Sequence, residues 1–173
     1  MWTAFGLSGL GSAAAVDSGL VDTRSELEAR SVGVYRPIKA ASGNLCLEPV
    51  NGRVVLNTCD PNKVTQFWGP FRDRSHVYRF QNRATVDCMW LGDGPSSGSL
   101  VVMGGCTLSD GSGNPPSNTE WDIGVDMPPA TARPLRSLVG GNTNLCITAG
   151  ASGLVTANTC NGANAQVFIL GTD

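Results

Sequence analysis

The residues able to do chemistry in this chain are few: 6 cysteines, 1 histidine and 14 Asp+Glu among 173 residues. A single imidazole, His76, rules out mechanisms that need two and any histidine-rich metal site. No two cysteines stand in a C-x-x-C spacing, so a thiolate zinc site has no support, and neither a metal nor a cofactor is expected. An even number of cysteines in a small, turn-rich chain reads instead as a disulfide framework, with the connectivity open. His76 could activate a thiol only if a cysteine were free. The acidic pairs Asp87/Asp93 and Asp122/Asp126 read as turn residues, not as the facing carboxylates of a glycosidase. No catalytic residue is expected, and the chemistry to look for is binding.

Internal repetition supplies the elements that must position such residues. Asn44-Leu45-Cys46 recurs as Asn144-Leu145-Cys146, and Asn57-Thr58-Cys59 as Asn158-Thr159-Cys160. Between these anchors both copies keep a glycine and then a valine, Gly52/Val54 and Gly153/Val155. After the second cysteine come Gln66-Phe67-Trp68 and Gln166-Val167-Phe168. A more diverged copy lies between them: Val77-Tyr78-Arg79 matches Val34-Tyr35-Arg36, Cys88 stands 42 residues after Cys46, and the copy closes on Thr119-Glu120-Trp121. Its cysteines flank 17 residues, against 12 and 13 in the outer copies. The extra length sits in Gly94–Gly98 and Asp110–Pro116, whose Gly/Pro/Ser content reads as loops. Two cysteines at equivalent places in each copy select the pairing Cys46–Cys59, Cys88–Cys106 and Cys146–Cys160. Arg53–Leu56 and Ser99–Met103 have the composition of short strands between turns. A unit of this length cannot bury a core alone, so the copies must share one.

Composition agrees with many short strands and tight turns: 22 Gly and 10 Pro, only 15% charged and 41% hydrophobic residues. The net charge of −2 lacks the basic excess of a phosphate-binding surface, so no nucleic-acid partner is expected. The uncharged first sixteen residues are too short and too rich in Gly and Ser to span a bilayer, and resemble a secretory h-region ending at Ala13-Ala14-Ala15. Leu27-Glu28-Ala29-Arg30 resembles the propeptide processing sites of secreted fungal proteins, although Ser25–Arg30 would also make an exposed helix. Residues 1–30 are therefore expected to be a leader and propeptide-like segment, residues 31–173 the folded body, and the location extracellular.

The three tandem units, each with a cysteine pair and a Gln-x-Trp-like ending, resemble the ricin B-type lectin family. The resemblance covers about residues 32 to 171. It implies an all-β fold, a β-trefoil of three pseudo-symmetric units (about 32–73, 74–127 and 128–171) with three intra-unit disulfides. It also implies that Gln66, Trp68, Trp121 and Phe168 belong to the core and do not stack on sugar. The implied partner is a glycan or glycoprotein. The alternative is a protein-interaction trefoil, a secreted effector acting on a host protein or a protease inhibitor, that recognises its partner through the long loops.

A sugar pocket of that family needs a carboxylate two residues after the first cysteine, to accept bonds from vicinal hydroxyls. It also needs an aromatic two residues before the second cysteine, against the ring's apolar face, and an asparagine just before the glutamine. The first unit offers Glu48, Asn57 and Thr65 at these places, the middle unit Trp90, Gly104 and Asn118, and the last Thr148, Asn158 and Ala165. No unit keeps the aromatic. The candidate ligand-binding residues are therefore Glu48, Asn57 and Asn62 in the first unit, and Trp90, Asp93 and Asn118 in the middle one. Against these stand plainer roles, Glu48 as a solvated turn carboxylate and Trp90 as packing. Arg72, Arg74, Arg79 and Arg83 near His76 read as alternating solvent-facing side chains or, if they share a face, as a patch for an acidic partner.

Overall fold

The computed structural model describes residues 34–74, 76–92, 95–106, 117–125, 131–139 and 144–171. The expected leader over 1–30, Asp93, Asp126 and most of the Asp110–Asn118 loop lie outside them. Strand β1 (Arg36–Ala40) runs into a hairpin of β2 (Leu45–Val50) and β3 (Arg53–Thr58). Its two turn residues, Asn51 and Gly52, both have positive φ, 50° and 73°. A two-residue type I′ turn needs that combination, and asparagine and glycine tolerate it best. Along β3, Val54 and Leu56 are buried while Arg53 is exposed, the period of a half-buried strand.

The chain continues through β4 (Phe67–Arg74), β5 (Val77–Asn82), β6 (Cys88–Leu91), β7 (Ser99–Gly104), β8 (Trp121–Asp122), β9 (Thr131–Arg133), β10 (Arg136–Ser137), β11 (Leu145–Ala149), β12 (Val155–Thr159) and β13 (Phe168–Leu170). Six segments pair into a ring. β1 pairs with β4, β4 with β5, β5 with β8 and β8 with β10, while β9 pairs with β13 and β13 returns to β1. Only Pro134 and Leu135 separate β9 from β10, and a proline has no N–H to continue a ladder. A closed ring leaves no long edge to pair with other chains.

Three hairpins, β2–β3, β6–β7 and β11–β12, meet one another in a triangle. Arg53 pairs with Val102, Leu100 and Ser99 pair with Thr156 and Ala157, and Val55 bridges Leu154. Backbone bonds stitch the same seams: Met103 N–H to Gly52 O (2.9 Å), Leu56 N–H to Gly153 O (2.7 Å) and Gly98 N–H to Ala157 O (2.8 Å). Each hairpin carries one disulfide, and the three bridges are those expected from the repeats: Cys46–Cys59, Cys88–Cys106 and Cys146–Cys160. Each closes a short loop, a constraint on the unfolded chain of about 3 kcal/mol.

The core lies where ring and triangle meet. Trp68, Trp121 and Phe168 are fully buried there, as expected, with Leu47, Met89 and Ile147. A buried indole needs an acceptor. Trp68 Nε1 donates to Leu47 O (2.9 Å) and Trp121 Nε1 to Met89 O (3.2 Å). The Phe168 ring has no N–H to satisfy. The expectation of alternating solvent-facing arginines is corrected at Arg79, which is buried, whereas Arg72 and Arg83 are exposed. The reason is that β5 pairs with β4, β6 and β8, and all six of its residues are buried.

One turn residue is out of its element. Val86 is 64% exposed and sits at φ 64°, a region that β-branched residues avoid. Its N–H bonds Asn82 O (3.0 Å) and its carbonyl accepts from Gln81 Nε2 (2.9 Å), which together hold the strained backbone in place. Val86→Gly removes this strain and no buried contact. Urea unfolding of the variant should show a gain of about 1 kcal/mol after glycine's entropy cost is deducted. A loss of stability would show that the strain is absent.

Candidate functional site

The first unit gathers most of its polar candidates around one carboxylate. Glu48 lies on β2 across from Val55, with its side chain only 5% exposed. Oε1 accepts from Thr65 Oγ1 (2.9 Å) and lies 2.7 Å from Lys63 Nζ. Oε2 accepts from Asn57 Nδ2 (2.9 Å), Lys63 Nζ (2.9 Å) and Gln66 Nε2 (3.2 Å). A carboxylate offers about four lone-pair directions, so Glu48 has no acceptor capacity left for a ligand. Burial by itself raises the pKa of this group. The Lys63 ammonium, then Asn57, Gln66 and Thr65, outweigh that and lower it from 4.5 to about 2.

Glu48 is thus not a solvated turn carboxylate. Asn57 bonds it, but Asn62 does not: it is exposed, and its N–H bonds Asp60 Oδ1 (2.9 Å). Lys63 was missed, and no signal in the sequence points to it. It reaches Glu48 only because the 3-10 turn over Val64–Gln66 folds back onto β2.

The glutamines behind these turns act as clamps. Gln66 Oε1 accepts from Asp60 N–H (2.8 Å) while its Nε2 also donates to Thr58 O (2.9 Å). Gln166 repeats the pattern with Asn161 N–H (2.9 Å), Thr159 O (2.9 Å) and Thr148 Oγ1 (3.2 Å). Both are buried, as the core role implies. In the last unit the remaining polar place is also taken: Asn158 Nδ2 donates to Thr156 Oγ1 (2.9 Å), and Asn158 Oδ1 accepts from Ser97 Oγ (3.3 Å).

The middle unit differs. Trp90 is half-buried on β6, with Val102 of β7 as its register partner, and its ring covers Gly104 diagonally across the hairpin. A Cβ at Gly104 would lie inside the indole, 1.9 Å from Cε3. The residue at the carboxylate place has therefore laid its ring over the place where an aromatic is missing. Trp90 Nε1 is buried and has no hydrogen-bond partner among the described residues. The same holds for Asn118 Oδ1, in the 3-10 turn over Ser117–Thr119 that packs on β6. Such groups are rare in folded proteins, and each needs an explanation. Asp93 lies outside the described residues. Among the described residues no cluster of three or more His, Cys, Asp and Glu is placed to hold a metal ion, and no helix is long and apolar enough to cross a membrane.

No family model and no curated protein matches this chain. Solved structures do. The chain is similar to the designed 3-fold symmetric protein ThreeFoil at TM-score 0.63 and 15% identity, over 78% of this chain and 95% of that one. It is similar to the Macrolepiota procera ricin B-like lectin, solved in complex with lactose, at TM-score 0.61 and 12% identity, over 81% and 96%. A Polyporus squamosus lectin, bound to a human-type influenza-binding epitope Neu5Aca2-6Galb1-4GlcNAc, gives TM-score 0.60 and 17% identity over 79% of this chain and 47% of its own. At these identities the likeness is one of fold: this is an all-β, disulfide-bonded chain with the trefoil architecture of those proteins.

The Glu48 network makes a pH prediction. A carboxyl whose pKa is lowered on folding contributes stability above its unfolded pKa of about 4.5, and that contribution is lost as pH falls through about 2. Lys63→Met removes the strongest lowering partner. Carboxyl-carbon NMR should show the Glu48 midpoint rising by about one pH unit, with acid unfolding starting correspondingly higher. An unmoved midpoint would show that Lys63 is not bound to Glu48 in solution.

Proposed function

We propose that this chain is a secreted, non-catalytic β-trefoil of the ricin B-type lectin kind, built from three pseudo-symmetric units, that binds glycans or glycoproteins through its middle unit. The observation that carries this reading is the pair of unpartnered groups in that unit. The half-buried Trp90 offers part of an indole face for the apolar side of a sugar ring. Behind it Nε1 and Asn118 Oδ1 lie buried with no partner among the described residues, a donor and an acceptor that a hydroxyl or water admitted to the site would satisfy. Position supports the pairing. Thr65 and Glu48 occupy the same places in the first unit and are hydrogen-bonded at 2.9 Å, so the unit's geometry turns these two positions toward each other. The fold is shared with a lectin solved with lactose and another solved with a sialylated epitope. Three disulfides suit an oxidising, extracellular setting. The other units contribute structure: in the first, the polar groups a sugar would use are already spent on one another.

That saturation also favours a second reading, in which the trefoil binds a protein partner through its loops and has given up sugar recognition. A glycan array separates the two. The wild-type chain should bind, and Asn118→Ala and Trp90→Ala should each weaken binding about tenfold or more, the change expected for one lost hydrogen bond or stacking surface. Asn118→Ala removes a buried carbonyl that has no partner among the described residues, and a thermal melt unchanged from wild type shows that its loss of binding is not a folding defect. An array without signal, together with capture of a purified protein partner, would replace the lectin reading with the second one.

A further inference from the structure

A groove of about 450 Å³ lies beside the first disulfide, and its lining includes none of Glu48, Asn57, Trp90 or Asn118. Its apolar wall is Tyr35, Pro37, Pro61 and Phe67 with the Cys46–Cys59 bridge. This wall is already organised. Tyr35 OH donates to Gln81 Oε1 (2.9 Å), and its ring lies so close over Gly69 that a Cβ there would be 2.7 Å from Cε1. Pro37 and Phe67 are register partners on β1 and β4, two strands of the closed ring.

The polar groups at the groove are unequally engaged. Arg36 Nη1 donates to Gly171 O (2.8 Å). Asp60 is tied by its N–H to Gln66 and by Oδ1 to Asn62. Lys39 is held only through its backbone, paired with Cys46 and Ile169, and its ammonium has no partner among the described residues. The exposed Asn44 likewise uses its carbonyl, for Cys59 N–H (3.0 Å), and leaves its side-chain amide open. The groove therefore presents a preformed apolar wall beside two cations, Lys39 and the carbonyl-bonded Arg36, one carboxylate, Asp60, and a neutral amide. A volume of this size with few convergent polar groups is typical of small-ligand sites.

We propose that this groove is a subsite for an acidic sugar, a pyranose carrying a carboxylate. The ring's apolar face meets the Tyr35–Phe67 wall, the carboxylate pairs with Lys39, and Asn44 bonds a hydroxyl. The net charge of −2 gives the protein no general attraction for anions, so selectivity rests locally on Lys39, with Arg36 at the same groove to offset the Asp60 carboxylate. The ligand class rests on the glycan-binding reading above, but the residues are separate from those of the middle unit.

The test uses the full chain with methyl glucuronide as probe and methyl glucoside as its neutral counterpart, followed by NMR titration. Glucuronide should bind at least tenfold tighter, weaken with added salt, and lose that advantage in Lys39→Gln, a surface change that keeps the strand. Phe67→Ala should weaken both sugars, while Asn118→Ala should change neither. Equal affinity for the two sugars, or an advantage that survives Lys39→Gln, overturns the subsite while leaving array binding through Trp90 untouched. Glucuronide binding that depends on Lys39, beside an array insensitive to Asn118→Ala, keeps the subsite and removes the middle-unit reading. A concentration-dependent dimer lost in Phe67→Ala would assign the groove to a second copy and overturn the proposal.

Discussion

A two-stranded hairpin has one apolar face and nothing of its own to bury it against. Everything in this molecule follows from how three such hairpins solve that problem together. Each sends residues such as Leu47, Met89 or Ile147 into one interior, and each is met there by a large aromatic, Trp68, Trp121 or Phe168. The indole N–H groups of the two tryptophans end on carbonyls of the hairpins they support, so the polar atom of the wedge is satisfied by the element it packs beneath. Because the interior is shared, no unit can be removed without opening the other two.

That constraint also governs the polar residues. A buried glutamine in the first and last units ties the end of the hairpin to the turn that precedes the aromatic, through two backbone bonds each. Once the turn is clamped down, its neighbours are carried onto the hairpin's outer face. In the first unit this brings Lys63 and Thr65 to Glu48, and a carboxylate that burial alone would disfavour becomes the best-satisfied group on that face. The same geometry that could present a carboxylate to a ligand here consumes it internally. In the middle unit Thr119 replaces the glutamine, an indole replaces the carboxylate and a glycine makes room for the ring. There the internal accounting fails to close, and Trp90 Nε1 and Asn118 Oδ1 are left over.

The groove beside the first disulfide arises from the same architecture at a different level. Its walls come from β1 and β4, which belong to the ring, and from the base of the first hairpin, where Cys46 on β2 is bridged to Cys59 just after β3. Lys39 alternates along β1 with the buried Ile38 and Ala40, so its outward direction is set by the strand's period. A rigid barrel thus presents two chemically different surfaces on one unit, one closed by its own salt bridge and one open.

Read alone, the chain determined its repeat and its disulfide pairing, because these depend on residue type at fixed spacing, and the core assignment of its terminal aromatics came with the family resemblance that the repeat carries. It also located Glu48, Asn57, Trp90 and Asn118 at the positions where hairpin and turn meet. It could not decide what those side chains do. Lys63 and Glu48 are fifteen residues apart with no periodic relation, and only the fold-back of the turn joins them. Arg79 looked like a surface residue because nothing in its neighbours' polarity showed that β5 would be paired on both sides. Trp90 over Gly104 is a diagonal contact across two strands. Local spacing determines which face a residue joins, but whether its polar atoms are satisfied depends on which distant residues the closed ring places opposite them.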